Sequence, residues 1–191
     1  MNKFISLIWL ILIVSSCQSG LSKKEIERYR QEGNDIVKST GEKLSSTLMS
    51  KIEEGGISEA VDFCSQSALS ITQKMSTHHG VEIKRTSLQT RNPENRPGEY
   101  EISVLNDFED KLLQGESLVP VVTLGNDGKP HYYAPILAQK KCLMCHGQLN
   151  KDLSSAVDSI IKSRYPEDLA TGYSEGDLRG MWSVTFDLPK P

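Results

Sequence analysis

The sequence predicts an α+β domain, with helices flanking a small antiparallel sheet and a long N-terminal helix ahead of it. Three observations carry this. Residues 22–52 keep helical rather than alternating apolar spacing. The runs 118–124 and 129–137 are separated by Gly125-Asn126-Asp127-Gly128, a hairpin signal. Two more strand-like runs, 81–88 and 181–188, are interleaved with helical segments, which favours α+β over a sandwich or a bundle. A chain of 191 residues is of ordinary size for one domain.

The first residues read as an export signal. Asn2-Lys3 is a short positive start, 4–14 is apolar and uncharged, and Val14-Ser15-Ser16-Cys17 brings small residues up to a cysteine. The run is short for a comfortable membrane span. The pattern looks like a bacterial lipobox, so residues 1–16 are expected to be removed and Cys17 to carry a lipid. Such a chain is anchored to a membrane rather than spanning it. Gln18 after Cys17, in place of Asp, favours the outer membrane over the inner, on the periplasmic side.

The mature chain then follows in order. Ser22 with Glu25 three residues on is a capping box that starts a helix. Ile26, Tyr29, Ile36, Val37, Leu44, Leu48 and Met49 fall loosely on one face, and Gly33 and Gly41 weaken the middle. That face must pack on the chain's own sheet or on a partner helix. Gly55-Gly56 breaks the helix, and a second runs over 57–79 to Gly80. Its stripe of Ala60, Val61, Cys64, Ala68 and Ile71 turns Cys64 inward. Residues 81–88 alternate as a strand, and 90–98, rich in Asn, Pro and Gly, form a wrapping loop. Residues 100–113 are a helix with Ile102, Leu105, Phe108 and Leu112 inward, followed by the hairpin. Residues 152–165 are a helix closed by Pro166, 171–180 a glycine-punctuated loop, and 181–188 the last strand.

Lys and Arg number 22 against 25 Asp and Glu, for a net charge of −3. The basic residues are dispersed with no stripe, which argues against a nucleic-acid partner.

The chemistry concentrates at Cys142-Leu143-Met144-Cys145-His146. C-x-x-C-H reads as an attachment site for one covalent haem c: two thiols a helical turn apart add to the two vinyl groups, and the histidine supplies the proximal nitrogen to iron. A redox cysteine pair or half of a zinc site are the other readings, and zinc takes about four ligands. An exported chain is in the compartment where haem c is attached. Four cysteines are present. With Cys17 lipidated and Cys142 and Cys145 in thioethers, Cys64 is left over. It is either a second axial ligand or a buried structural thiol. Met75, Met181, His78, His79 and His131 compete for the ligand role. Arg85, Arg91 and Arg179 are candidates to pair with haem propionates, or else surface ion pairs. Tyr133 and Trp182 line a haem pocket or simply pack the core.

Several stretches together resemble single-haem c-type cytochromes with a PAS-like fold, a sensor-type family. These are Ala60-Val61-Asp62-Phe63-Cys64, Arg85-Thr86-Ser87, Arg91-Asn92-Pro93-Glu94-Asn95, Tyr133-Ala134-Pro135-Ile136, residues 142–147, and Gly172-Tyr173 with Gly176-Asp177-Leu178-Arg179-Gly180. The resemblance implies a PAS-like haem pocket with His146 proximal and Cys64 distal, and a long helix that packs against a second copy in a homodimer. It divides the chain into a signal over 1–16, a lipidated N-terminus, tether and long helix over 17–55, and a PAS-like haem c-binding domain over 56–191.

Two functions follow as expectations. One is sensing of redox state or a diatomic gas through a displaceable Cys64, read out by a partner signalling protein. The other is one-electron transfer to a redox partner. A haem enzyme such as a peroxidase, or a non-haem redox or zinc-binding lipoprotein, is the alternative. A peroxidase needs distal acid–base groups, and no His/Arg pair is evident near Cys64 in the sequence.

Overall fold

The computed structural model describes residues 20–187. The expected export signal and Cys17 lie outside the described residues. Helix α1 (Lys23–Gln66) begins at the capping box. The Ser22 hydroxyl accepts the Glu25 N–H at 3.3 Å, and the Glu25 carboxylate accepts the Ser22 N–H at 2.8 Å. Two of the orphan donors of the first turn are thereby satisfied.

The break expected at the glycine pair is present, and two helical segments meet there within α1. Gly55 (φ −145°) and Gly56 (φ 71°) leave helical geometry, and the chain resumes as a helix to Gln66. The second interruption comes at Ser67 (φ −121°), before α2 (Ala68–His79). The helix expected over 57–79 is thus split, with Cys64 on the second half of α1. Gly80 closes α2 in the left-handed conformation, φ 67°, as a C-terminal glycine does.

Four strands form one antiparallel sheet: β1 (Val81–Thr86), β2 (Val121–Leu124), β3 (Pro130–Leu137) and β4 (Leu178–Phe186). Their order is β1-β4-β3-β2, so the last strand lies inside the sheet. Strand β2 starts at Val121 rather than 118, directly after Pro120, which has no N–H to donate. Strand β4 starts three residues before Met181, because Leu178 pairs with Leu137 and Gly180 with Ile136. Gly180 runs so close to the Thr86 carbonyl that a β-carbon there would overlap it, and its φ of 153° also favours glycine.

Helices cover both faces of the sheet. Tyr29, Ile36 and Leu44 of α1 pack with Ile83, Tyr132, Trp182, Val184 and Phe186. The apolar face of the long helix is therefore used by the chain's own sheet. Burying three such side chains is worth roughly 1.5–3 kcal/mol each. On the other face, Leu105 and Phe108 of α3 (Glu99–Leu113) pack with Tyr133, Leu178 and Met181. A third cluster lies beside the sheet. Val61 of α1 meets Leu153, Ile161 and Tyr165, with Cys145 packed against them. It brings α5 (Ser155–Arg164) onto the second half of α1, and Arg164 pairs with Asp62 there. This cluster fixes the cysteine motif relative to Cys64.

Candidate functional site

Residues Lys140–Cys142 form a 3₁₀ turn that runs into α4 (Leu143–His146), so Cys142 and Cys145 lie a helical turn apart. Both are free, half-buried thiols. Gly147 ends the turn, its N–H donating to the Leu143 carbonyl at 2.8 Å, and a β-carbon on it would come within 2.6 Å of that oxygen. A loop from 168 to 173 then lies alongside α4. The N–H of Tyr173 donates to the His146 carbonyl at 3.0 Å, and the N–H of Gly172 to Gly147 at 2.9 Å.

His146 Nδ1 is 2.7 Å from the Ala170 carbonyl oxygen. A carbonyl only accepts, so Nδ1 carries the proton and Nε2 presents the lone pair. Burial holds this imidazole well below its usual pKa, aided by the positive charge of Arg179, Arg91 and Arg85, and opposed by the bond to Ala170. A neutral ring with one nitrogen tied to backbone is the ligating form of histidine.

The three arginines differ in what they touch. Arg91 Nε and Nη2 each donate to an oxygen of Asp168 at 3.1 Å, and Nη2 also reaches the carbonyls of Cys145 at 2.7 Å and Ala170 at 3.2 Å. The Asp168 side chain is 1% exposed. Arg85 stacks over Trp182 at 5.8 Å and has no carboxylate partner among the described residues. Arg179 lies over Tyr173 at 5.3 Å and donates to the Gln89 carbonyl at 3.2 Å. Burial lowers the pKa of both Arg85 and Arg179. Asp168 and Ala170 carry no sequence signal. Their meaning comes only from Arg91 and His146, 77 and 24 residues away.

Cys64 is a half-buried free thiol. Burial pushes its pKa up, Arg85 and Arg91 pull it down, and Cys145 pushes it up. Tyr165, held at a pKa of about 12 mainly by burial, also feels its charge. The fold therefore gathers Cys64, Cys145, Arg85 and Arg91 from four separate stretches. The competing donors are engaged elsewhere. Met75 packs in the cluster under α1, and Met181 is fully buried under α3. His79 lies 3.2 Å from the Ser39 hydroxyl with its ring edge-on to His78, and His131 sits between Asp127 and Thr185. Tyr133 belongs to the core beneath α3, and Trp182 lies under Arg85.

The residues present fit the group implied by the motif. Two thiols stand at the spacing for thioether bonds, and one imidazole is oriented through Nδ1. Three guanidinium groups act on that imidazole, and among the described residues the one carboxylate paired with them is Asp168. Two positive charges are left for a group carrying two carboxylates. Zinc fits less well: among the described residues no group of three or more His, Cys, Asp or Glu side chains is placed to hold a metal ion.

Among solved structures, the chain matches the crystal structure of the cyanobacterial heme-protein Tll0287. The match has 25% identity and a TM-score of 0.60, over 90% of this chain and 99% of that one. No curated protein matches the chain. The model of the Tll0287-like family matches residues 19–187, taking in every site residue from Cys64 to Arg179, and the chain therefore belongs to that family.

Proposed function

We propose that this chain is an exported, lipid-anchored protein with one covalent haem c, acting in redox or gas sensing or in one-electron transfer. Cys142 and Cys145 form the thioethers, His146 is the proximal ligand and Cys64 the second axial ligand. The observation that carries this reading is the His146 geometry, with Nδ1–H committed to Ala170 at 2.7 Å and Nε2 left free, in a site that also gathers Cys64. The match to a heme-protein supports it independently.

When bound, haem supplies a one-electron couple and an iron site for diatomic ligands. The chain's own residues do the rest. Arg85, without a carboxylate partner, and Arg179 are the guanidiniums for the propionates. Burial favours the neutral Cys64 thiol, and Arg85 and Arg91 offset part of this; as thiolate bound to iron it would favour the ferric state. A Cys64 that is released on reduction would suit sensing, and one that stays bound would suit electron transfer. A peroxidase would need a distal acid–base pair. His78, His79 and His131, the histidines other than His146, are engaged outside the site. The lipid is expected on Cys17, at the periplasmic side of the outer membrane.

The test is purification after co-expression with haem c maturation factors, followed by intact mass and absorption spectra of wild type and Cys64→Ala. The expected result is the mass of one haem and a low-spin ferric spectrum of thiolate type, lost in the variant. A chain without haem mass overturns the reading. An unchanged spectrum in Cys64→Ala removes Cys64 as ligand. CO binding to the reduced protein at very low potential supports sensing, and an ordinary potential without CO binding supports electron transfer.

A further inference from the structure

Arg91 makes four contacts at once, and they close a loop around His146. Its Nη2 donates to the carbonyl of Cys145, the residue before His146, and to the carbonyl of Ala170, the acceptor of His146 Nδ1–H. Its Nε and Nη2 together grip Asp168. Asp168 in turn accepts the N–H of Ala170 at 2.9 Å. The backbone of Ala170 is thus held at two points, through its own N–H and through its carbonyl oxygen. One guanidinium bonds both the acceptor of the imidazole and the main-chain carbonyl just before the histidine.

We propose that the Arg91–Asp168 pair is the positioning device of His146, fixing the Ala170 carbonyl and through it the tautomer and ring angle of the histidine. This rests on the reading of His146 as an axial ligand. Ala170 lies in a stretch without regular secondary structure, where a lone carbonyl would move with its loop. Here Ala170 is fully buried and the Asp168 carboxylate nearly so, so water competes little for these bonds. The geometry needs a fork of donors in one plane, which arginine has and lysine lacks. It also makes Arg91 a different kind of residue from Arg85. Arg91 is committed to protein oxygens, whereas Arg85 has no carboxylate partner among the described residues. Positioning partners of ligand histidines commonly change metal affinity by about 10–100-fold when removed.

The test uses the full chain, haem-loaded by co-expression with maturation factors, as wild type, Asp168→Asn and Arg91→Lys. The readout is solvent exchange of the His146 Nδ1–H by NMR, compared with backbone amides of the sheet. In both variants the Nδ1–H is expected to exchange about tenfold faster or more, with the sheet amides as in wild type. Asp168→Asn keeps the side-chain size and an oxygen for the Ala170 N–H, so it carries the test if Arg91→Lys does not fold. Unchanged Nδ1–H exchange overturns the inference, and so does an acceleration shared by the sheet amides, which marks a purely structural pair. A wild type without haem mass instead overturns the haem reading. The same exchange measurement on the haem-free chain then still decides whether the pair positions His146.

Discussion

Arg164 of α5 pairs with Asp62 of α1, two residues before Cys64. The pair ties the half-helix that presents Cys64 to the helix packed behind Cys145. The hydrogen bond from Arg164 holds the Asp62 carboxyl below its usual pKa. A lowered carboxyl pKa stabilises the fold above the ordinary carboxylate range, and that contribution is lost as pH falls through the folded value. The pair is solvent-exposed and contributes little, so Asp62→Asn is expected to melt only slightly below wild type at neutral pH. The gap should close in acid below the carboxylate range. Thermal melts of the two proteins at both pH values check this, and a gap that persists in acid would show that the charge pair is not its cause.

Two glycines of α1 are expected to respond oppositely to the same change. A β-carbon on Gly33 would overlap the ring of Tyr132, which is buried in the sheet and donates through its hydroxyl to Asn34 at 2.6 Å. The ring has no room to retreat. Overpacking costs about 1–3 kcal/mol, which exceeds the roughly 1 kcal/mol that Ala gains over Gly in a helix. A β-carbon on Gly41 would lie 3.6 Å from Trp182, an ordinary contact. Gly33→Ala should lower the denaturant midpoint and Gly41→Ala raise it, by about 0.5–1 kcal/mol in the second case. Equal signs in the two variants would count against the close approach of α1 to Tyr132.

These two glycines show where the sequence is legible. The capping box at Ser22 and the hairpin turn are local patterns, and each has its counterpart in the structure, whereas the single stripe expected around Cys64 is divided, Val61 packing with α5 and Ala68 and Ile71 with the sheet. A glycine that weakens a helix is visible from its neighbours. That Gly33 is needed for Tyr132, 99 positions on, is not. The same distance hid the partner of Arg91 in a loop with no motif, and the choice between own sheet and partner helix for α1. Two boundaries moved for similar reasons. The helix expected over 57–79 is interrupted at Ser67, its first part packing on α5 and its second on the sheet, and β4 begins early because its partner β3 extends to Leu137.

Alkaline titration should separate the tyrosines. Burial raises Tyr132 and Tyr165 to about 12 and raises Tyr133 further. The hydroxyl of Tyr132 also donates to Asn34, which further favours the protonated form. A raised pKa means stability that is complete below pH ~10 and lost as pH rises through the folded value. Phenolate absorbance of the buried tyrosines is expected to appear only together with loss of secondary structure. Full phenolate absorbance in a still-folded chain would contradict the burial of these rings.

Arg85 gives a prediction that differs between the haem-free and haem-loaded chain. Its guanidinium has no carboxylate among the described residues, is desolvated, and stacks on Trp182. Desolvating an unpaired charge is unfavourable, and replacing it by an apolar group of similar volume relieves that. Stacking on an indole returns only about 0.5–1 kcal/mol. Arg85→Met is therefore expected to raise the melting temperature of the haem-free chain. If Arg85 faces a propionate when haem is attached, the same substitution leaves that carboxylate unmatched and lowers the melting temperature of the loaded protein. Melts of both proteins in both forms check this. A change of the same sign in the two forms would mean that Arg85 does not pair with the haem, leaving its effect on Cys64 as its role in the site.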